Sequence, residues 1–265
     1  MPKLVDKGEY IASESSFYRV LKSEKLNAHR GASRPKTNHR PDPHVAEAPN
    51  EVWSWDITYL QSMVRGIFFY LYLVMDIYSR KIVGWEVHER ECNTLSAVLM
   101  EETLANEGID GAGLVIHSDN GGPMKGATIL ATLQRLGVMP SFSRPSVSDD
   151  NPFSESLFKT LKYCPFFPTK PFSSLEEARL WVIRFVEWYN NEHMHSGIKF
   201  VTPASRHDGL DKNILNRRKE IYEMAKTNNP SRWSGNTRNW EQNKKVYLNP
   251  LKEKINSGMY AATAA

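Results

Sequence analysis

Three closely spaced apolar segments between residues 52 and 87 most constrain what this chain can fold into. Residues 52–60 alternate in the manner of a half-buried β-strand, and Asp56 lies in the middle of that strand. Residues 68–78 and 81–87 are nearly continuous apolar and aromatic runs, and the short Ser79-Arg80 turn between them predicts an antiparallel meander. Because an unpaired charge is costly to bury in such a strand, Asp56 is expected to meet a metal ion or another partner.

The rest of the apolar pattern predicts helices in alternation with shorter strands. The helix at 94–107 has Thr94 as its expected N-cap and Gly108 as its stop. The other expected helices cover residues 127–136, 152–163 and 174–191, and the other strands cover residues 114–117 and 138–143. This order predicts an α/β fold, a mixed five-stranded sheet flanked by helices.

Composition and local patterns divide the chain into four parts. A short helix is expected over residues 13–23, with Ser13 among its possible N-caps. It falls in the first part, residues 1–26, and a basic linker follows over residues 27–50, rich in Pro, Arg, His and Asn and therefore expected to be extended. The α/β core then occupies residues 51–205, and a basic tail occupies residues 206–265.

Charge is distributed unevenly along the chain, although its net value is only +4. Counting Lys and Arg against Asp and Glu gives +3 for residues 1–50, −5 for the middle and +6 for residues 206–265. An acidic centre between basic arms suits a protein that gathers carboxylates around metal and grips phosphates with its flanks. Chance variation in charge is the alternative.

The sequence also favours a cytoplasmic globular protein without zinc. No apolar stretch is as long as a membrane span, and the first ten residues lack the apolar centre of a signal peptide. Cys92 and Cys164, the two cysteines, follow no metal-binding spacing and are expected to be reduced thiols.

Three carboxylates are candidates for a divalent-metal site. Asp56 is expected in mid-strand, Asp119 at the C-terminal end of a strand beside a Gly-Gly turn, and Glu155 in the first turns of a helix. Magnesium prefers oxygen ligands, and two ions roughly 3.5–4 Å apart can serve both the attacking and the leaving oxygen in phosphoryl transfer. Asp76 is a competing candidate, but Ser79 and Arg80 follow it closely and favour a local hydrogen-bonded or Arg-paired role.

Two lysines follow Glu155 on the same predicted helix. Lys159 is four residues later and Lys162 seven residues later, so all three lie near one helix face. One interpretation has the lysines contacting DNA phosphates near the metal ions. The other has them forming surface bridges with Glu155, each worth only a few tenths of a kcal/mol.

The carboxylates and the residues around them resemble a known family. Thirty-five residues separate Asp119 from Glu155, as in the D,D(35)E signature of transposases and retroviral integrases. The surrounding segments are similar to bacterial insertion-sequence transposases of the IS-three family. These segments are Trp-Ser-Trp-Asp-Ile-Thr-Tyr (53–59), Met-Asp-Ile-Tyr-Ser-Arg-Lys-Ile-Val-Gly-Trp (75–85), His-Ser-Asp-Asn-Gly (117–121), Asp-Asn-Pro-Phe-Ser-Glu (150–155), Phe-Lys-Thr-Leu-Lys-Tyr (158–163) and Trp-Tyr-Asn-Asn (188–191).

The resemblance implies an RNase H-like core that holds two Mg²⁺ ions, with Mn²⁺ as a substitute, through the catalytic residues Asp56, Asp119 and Glu155. It implies cleavage at the 3′ ends of an insertion sequence, strand transfer by the freed 3′-hydroxyl, and copying through a circular intermediate. The expected partner is DNA, bound by a homo-oligomer associated with the bacterial nucleoid. The resemblance also supports Lys162 as a DNA contact, and Asn120, beside Asp119, is a further candidate.

The ends of the chain leave alternatives open. Residues 11–21 resemble the last helix of a helix-turn-helix, and the helices that usually precede it are missing from this sequence. A truncated remnant that binds DNA or inhibits full-length copies is therefore the alternative function, and a nuclease of the same fold is a third. In the tail, Arg232 and Arg238 beside tryptophans are expected either to grip DNA or to form a small packing motif.

Overall fold

The computed structural model describes residues 12–24, 43–144 and 150–250. The chain divides into two compact units, Met1–His39 and Arg40–Ala265. In the first unit, helix α1 (Glu14–Ser23) has the expected N-cap, because the Ser13 side chain accepts a hydrogen bond from the backbone N–H of Ser16. Most of the predicted linker, the polar loop at 145–149 and the last fifteen residues of the predicted tail lie outside the described residues.

Five strands of the second unit form one mixed sheet, and two short strands form a separate ribbon. In chain order the strands are β1 (His44–Ala46), β2 (Val52–Gln61), β3 (Phe68–Asp76), β4 (Ile82–His88), β5 (Val115–Ser118), β6 (Met139–Phe142) and β7 (Val246–Leu248). The five-stranded sheet has the order β4-β3-β2-β5-β6. Its first three strands are antiparallel, which confirms the predicted meander, and β5 and β6 extend it in parallel with β2.

Helices pack on both faces of the sheet. They are α2 (Asn93–Glu107), α3 (Gly122–Lys125), α4 (Ala127–Arg135), α5 (Pro152–Lys162), α6 (Leu175–Asn191), α7 (Pro203–His207) and α8 (Asp211–Asn228). Helix α2 ends at Gly108, which adopts the left-handed backbone (φ 66°) that glycine tolerates best. The prediction of Thr94 as its N-cap was wrong. The helix begins one residue earlier, and its N-cap is Cys92, whose carbonyl accepts the N–H of Ser96.

The two faces of the sheet build two hydrophobic cores. Trp53, Trp55 and Ile57 of β2 point to the face covered by α2 and α4. Alternate residues of a strand point to opposite faces, so Ser54 and Asp56 face the other core, which α5 and α6 cover. The candidate carboxylate of β2 therefore lies on the same side of the sheet as the helix that carries Glu155.

The chain beyond residue 205, which the sequence left as a tail, contains α8 and much of a third core. Leu215 and Trp240 are buried there with Ile198 and Val201. Strand β7 returns to pair with β1, antiparallel, with His44 opposite Leu248. In the described part of the chain, the helices are all too short or too polar to cross a membrane.

Candidate active site

Asp56 is held in the middle of β2, and its side chain is partly buried. Its Oδ1 accepts the backbone N–H of Ile57 at 2.8 Å. Burial raises the pKa of the Asp56 carboxyl to about 7, and the carboxylates of Asp119, Glu155 and Glu91 push it in the same direction against the effect of the Ile57 hydrogen bond. A carboxyl in this environment favours any positive charge that can reach it.

Asp119 follows directly after β5, beside Asp56. Strands β2 and β5 are parallel neighbours in which Ser54 is opposite His117, so Asp56 and Asp119 both come two residues after this matched pair. The alternation of side chains places both aspartates on the face covered by α5, at the same level of the sheet. The Ser143 hydroxyl, just beyond β6, donates to Oδ1 of Asp119 at 2.7 Å and fixes its orientation.

Glu155 lies in the first turn of α5, and the start of this helix is anchored to both aspartate-bearing strands. From β2, the Ser54 hydroxyl donates to the Asn151 side-chain oxygen at 2.6 Å and lies 2.7 Å from the Ser154 hydroxyl. From β5, His117 Nε2 lies 2.9 Å from the backbone oxygen of Asp150. These buried contacts hold the start of the helix that carries Glu155 against the strand of Asp56 and the strand that ends just before Asp119.

Asp56, Asp119 and Glu155 are within electrostatic reach of one another, because both of the other carboxylates raise the pKa of Asp56. Their carboxylates do not lie close enough together to form a complete metal site. Within residues 12–24, 43–144 and 150–250 there is no group of three or more His, Cys, Asp and Glu side chains close enough to hold a metal ion. Glu155 is exposed at the helix surface.

Asp76, the competing carboxylate, has the local role that the sequence favoured. It is fully buried, and it accepts the backbone N–H and the hydroxyl of Ser79, each at 2.6 Å, and the N–H of Asn50 at 2.8 Å. With three donors arranged around it, this carboxylate is satisfied within the protein.

Comparisons with known proteins agree with this architecture. Two models of the integrase core domain match the chain at residues 46–148 and 136–203. The transposase for insertion sequence element IS904 of Lactococcus lactis is 32% identical over 175 residues, which are 66% of this chain and 68% of that protein. This chain belongs to the insertion-sequence transposases.

Other members of the transposase family match over a similar region. Transposase InsF for insertion sequence IS3A of Escherichia coli is 30% identical over 164 residues, 60% of this chain and 54% of that protein. The transposase chain thus spans about two thirds of the IS904 relative and little more than half of the InsF relative.

A solved structure confirms the predicted fold of the transposase chain. One chain of the cryo-EM structure of a simian T-cell lymphotropic virus intasome in complex with PP2A regulatory subunit B56 gamma superposes with a TM-score of 0.51. The alignment covers 70% of this chain and 66% of that one at 18% identity, so it shows a shared fold alone. Together with the integrase-core matches and the observed strand order, it confirms the RNase H-like class of the transposase core.

The two lysines expected to contact DNA are exposed on the transposase's helix α5. Lys159 lines a groove of about 510 Å³ together with Tyr163, Trp188 and His193. Lys162 is exposed near the C-terminal end of the helix. Both side chains lie on the helix that carries Glu155.

The other residues expected to contact DNA are partly engaged within the transposase. The Asn120 amide donates to the backbone oxygen of Ser143. The Arg238 guanidinium lies over the rings of Phe200 at 4.5 Å and Trp240 at 5.1 Å, and Trp240 is buried. Arg238 thus takes part in the packing motif that was one of the two interpretations of the tail, whereas the Arg232 side chain is exposed.

Sequence reasoning missed the polar residues that support the transposase's carboxylates. They are Ser54, His117, Ser143 and Asn151, all buried. A usable signal was present in two of them, because Ser54 and His117 stand two residues before Asp56 and Asp119, where strand alternation places them on the same face. Burial lowers the pKa of His117 to about 4, so its imidazole is neutral near pH 7.

Proposed function

We propose that this transposase chain cleaves DNA at the 3′ ends of an insertion sequence and transfers the freed ends into target DNA, with Asp56, Asp119 and Glu155 as the catalytic residues. The observation that carries the proposal is the placement of these carboxylates. Two of them stand two residues beyond a matched pair of adjacent parallel strands, and the third is on a helix anchored to both strands.

The donor set suits hard divalent cations. Asp56, Asp119 and Glu155 offer only carboxylate oxygens, the ligands that Mg²⁺ prefers. The raised pKa of Asp56 reflects burial and negative neighbours, and a bound cation would offset both. We infer that the three residues hold two Mg²⁺ ions, or Mn²⁺ in their place. When bound, such ions lower the pKa of an attacking oxygen and stabilise the charge on a leaving one.

Two displacement reactions at phosphorus account for the proposed activity. In the first, water attacks the phosphorus at an element end, the P–O3′ bond breaks, and the 3′-oxygen leaves as a hydroxyl after taking a proton. In the second, this 3′-hydroxyl loses its proton and attacks a target phosphorus, and the target's own P–O3′ bond breaks. The number of phosphodiester bonds is unchanged in the second step, so no outside energy source is needed.

The chain's own residues orient the carboxylates and the DNA. The Ser143 hydroxyl and the Ile57 N–H each fix one aspartate. Lys159 and Lys162 are proposed to contact phosphates of the bound strand, and their exposure on the helix of Glu155 supports this role. Asn120, Arg232 and Arg238 complete the proposed DNA-contacting set. The partners are then insertion-sequence ends and target DNA, bound by a homo-oligomer at the bacterial nucleoid.

The test uses labelled duplexes that carry the inverted repeats flanking the gene. We expect Asp119→Asn to abolish Mg²⁺-dependent cleavage and joining, by about 10³-fold or more, because it removes one charged ligand, while the DNA dissociation constant stays nearly unchanged. The matched control is Asp208→Asn, an exposed aspartate of the C-terminal part, which should behave as the unmodified chain.

Two results would contradict the proposal. Persistent joining by Asp119→Asn would remove the carboxylates from catalysis. An unmodified chain that binds the repeats but never cleaves them would instead support the remnant function.

A further inference from the structure

The ribbon of β1 and β7 is fixed to the core beside the candidate site. Its two strands come from opposite ends of the second unit, and they pair from His44–Leu248 to Ala46–Val246. Ala46, Val246 and Leu248 are buried in the core that α5 and α6 cover. The ribbon is therefore packed on the same face of the sheet as Asp56.

A chain of hydrogen bonds leads from the ribbon into the site. His44 Nε2 lies 3.0 Å from the Ser141 hydroxyl, this hydroxyl lies 2.9 Å from His117 Nδ1, and His117 Nε2 lies 2.9 Å from the Asp150 carbonyl.

The direction of this chain follows from chemistry. A carbonyl only accepts, so His117 Nε2 carries a proton, and in the neutral ring Nδ1 accepts the proton of Ser141. The Ser141 oxygen then accepts from His44 Nε2. The three side chains therefore form one continuous donor-to-acceptor sequence that ends on the carbonyl just before α5.

A branch of the same chain reaches Asp119. His117 Nε2 lies 3.3 Å from the Ser143 hydroxyl, which uses its own proton on Oδ1 of Asp119 at 2.7 Å. One imidazole is thus shared between the carbonyl of Asp150 and the hydroxyl that orients Asp119. Movement of this ring would disturb both supports at once.

The other strand of the ribbon makes a second connection to the same carbonyl. Asn249, directly after β7, is buried and donates its side-chain amide to the Asp150 oxygen at 3.2 Å. Its backbone is left-handed (φ 53°), a conformation that asparagine tolerates better than most residues. Both strands of the ribbon therefore converge on the residue that begins the approach to Glu155.

We propose that the β1–β7 ribbon is a positioning element for the active site: it holds Asp119 through His44, Ser141, His117 and Ser143, and it holds the start of α5 through His117 and Asn249. The effect of this positioning on DNA cleavage and joining rests on the proposed function. The positioning itself does not, because it is made by contacts within the folded chain.

The first measurement is amide hydrogen exchange of the metal-free full chain, followed in peptides that cover residues 150–158. Ser141→Ala removes the middle member of the hydrogen-bond sequence. His44→Phe removes the first donor of that sequence with little change in side-chain shape. We expect each to raise exchange in these peptides by about 10-fold, because the start of α5 loses a fixed support. The double variant should exchange little faster than either single variant, since both changes interrupt the same sequence of hydrogen bonds.

Conservative variants separate positioning from general stability. His44→Gln keeps an N–H donor and should restore near-normal exchange, whereas Asn249→Gly keeps the left-handed backbone, loses the amide and should raise exchange. Val45→Thr, on the exposed side of the ribbon, is the matched control and should change nothing. In joining assays we expect the disruptive variants to lower kcat about 10-fold without changing DNA affinity, as loss of outer hydrogen-bonding partners commonly does.

Exchange that stays normal in both Ser141→Ala and His44→Phe would overturn the proposal. So would a His44→Gln variant as impaired as His44→Phe. If exchange responds as expected but no variant or unmodified chain joins DNA, the positioning role stands and the proposed reaction fails.

Discussion

Asp56 and Asp76 lie on adjacent antiparallel strands of one apolar sheet, yet their carboxylates have opposite surroundings. Asp76 is fully buried and accepts three hydrogen bonds from Ser79 and Asn50. Asp56 accepts one, from Ile57, and faces the negative charges of Asp119 and Glu155. Asp76 thus has three hydrogen-bond donors, whereas Asp56 has one and lies among other carboxylates, an environment that favours a bound cation.

The carboxyl groups around Asp76 and around Asp56 also differ in what sets their pKa. Near Asp76, Glu107 contacts Lys81 at 2.8 Å and His207 at 2.9 Å. Burial acts against these contacts, but together they lower the pKa of Glu107 to about 2. Near Asp56, burial and like charges raise the carboxyl pKa to about 7. Burial raises the pKa of Asp76 as well, but there the hydrogen bonds from Ser79 and Asn50 act against burial. At Asp56 the neighbouring carboxylates add to the effect of burial, which is the pattern of a candidate catalytic carboxylate.

The largest expected effect on stability is at Asp76. Asp76→Asn should lower the free energy of unfolding by ~3 kcal/mol, because the Asn50 N–H loses its acceptor and the charged hydrogen bonds become neutral. Urea unfolding measures this loss. DNA joining per folded molecule should stay near normal below the unfolding transition. A variant that is stable but inactive would break the comparison, since Asp76 would then belong to the active site.

Asp56→Asn should have the opposite effect on stability, and the effect should depend on pH. Folding raises the pKa of Asp56 from 3.8 to about 7, so between these values the folded state keeps a proton that the unfolded state has lost. The wild-type contribution from Asp56 therefore becomes less favourable as pH rises from about 4 to about 7. Without metal, the variant should be more stable than wild type by on the order of 1–2 kcal/mol at pH 8, with little gain at pH 4.

Unfolding curves at both pH values, recorded with a chelator, test this expectation. Added Mg²⁺ should then stabilise the wild type more than the Asn variant. A stability difference that is the same at pH 4 and pH 8 would show that the Asp56 carboxyl is not perturbed in the folded chain.

The smallest expected effect is on the salt dependence of DNA binding, tested with one lysine near Glu155 and one near Asp76. Lys162→Ala should reduce the slope of log K against log salt by about one, as expected for the loss of one phosphate contact. Lys81→Ala should leave that slope unchanged, because Lys81 is paired with Glu107 beside Asp76. DNA binding of both variants, measured at several salt concentrations, gives the two slopes. An unchanged slope for Lys162→Ala would return this lysine to the surface-bridge interpretation.

The sequence predicted the core elements well because their signals are local. Apolar alternation marked β2, and helical spacing marked α2 and α6 within a few residues of their ends. The local hydrogen-bonded role of Asp76 was predicted correctly because its partner, Ser79, is only three residues away. Each of these signals lies within a short window of the chain.

Elements with weak local patterns were missed. Helix α8 buries only Asp211 and Leu215 along its eighteen residues, so it has no apolar stripe to recognise. Strands β1 and β7 have three residues each, too few to show a period, and about two hundred residues separate them. Their pairing depends on a core that exists only after folding.

By itself, the sequence determined which elements carry Asp56, Asp119 and Glu155 and which family the chain belongs to, because strand period, helix period and motif wording are properties of neighbouring residues. The tertiary structure alone decided which distant polar residues hold the start of α5 beside the aspartates. Ser54 meets Asn151 across ninety-seven positions, and Asn249 meets Asp150 across ninety-nine. Hydrogen bonds over such separations depend on strand register and helix packing, which no local pattern encodes.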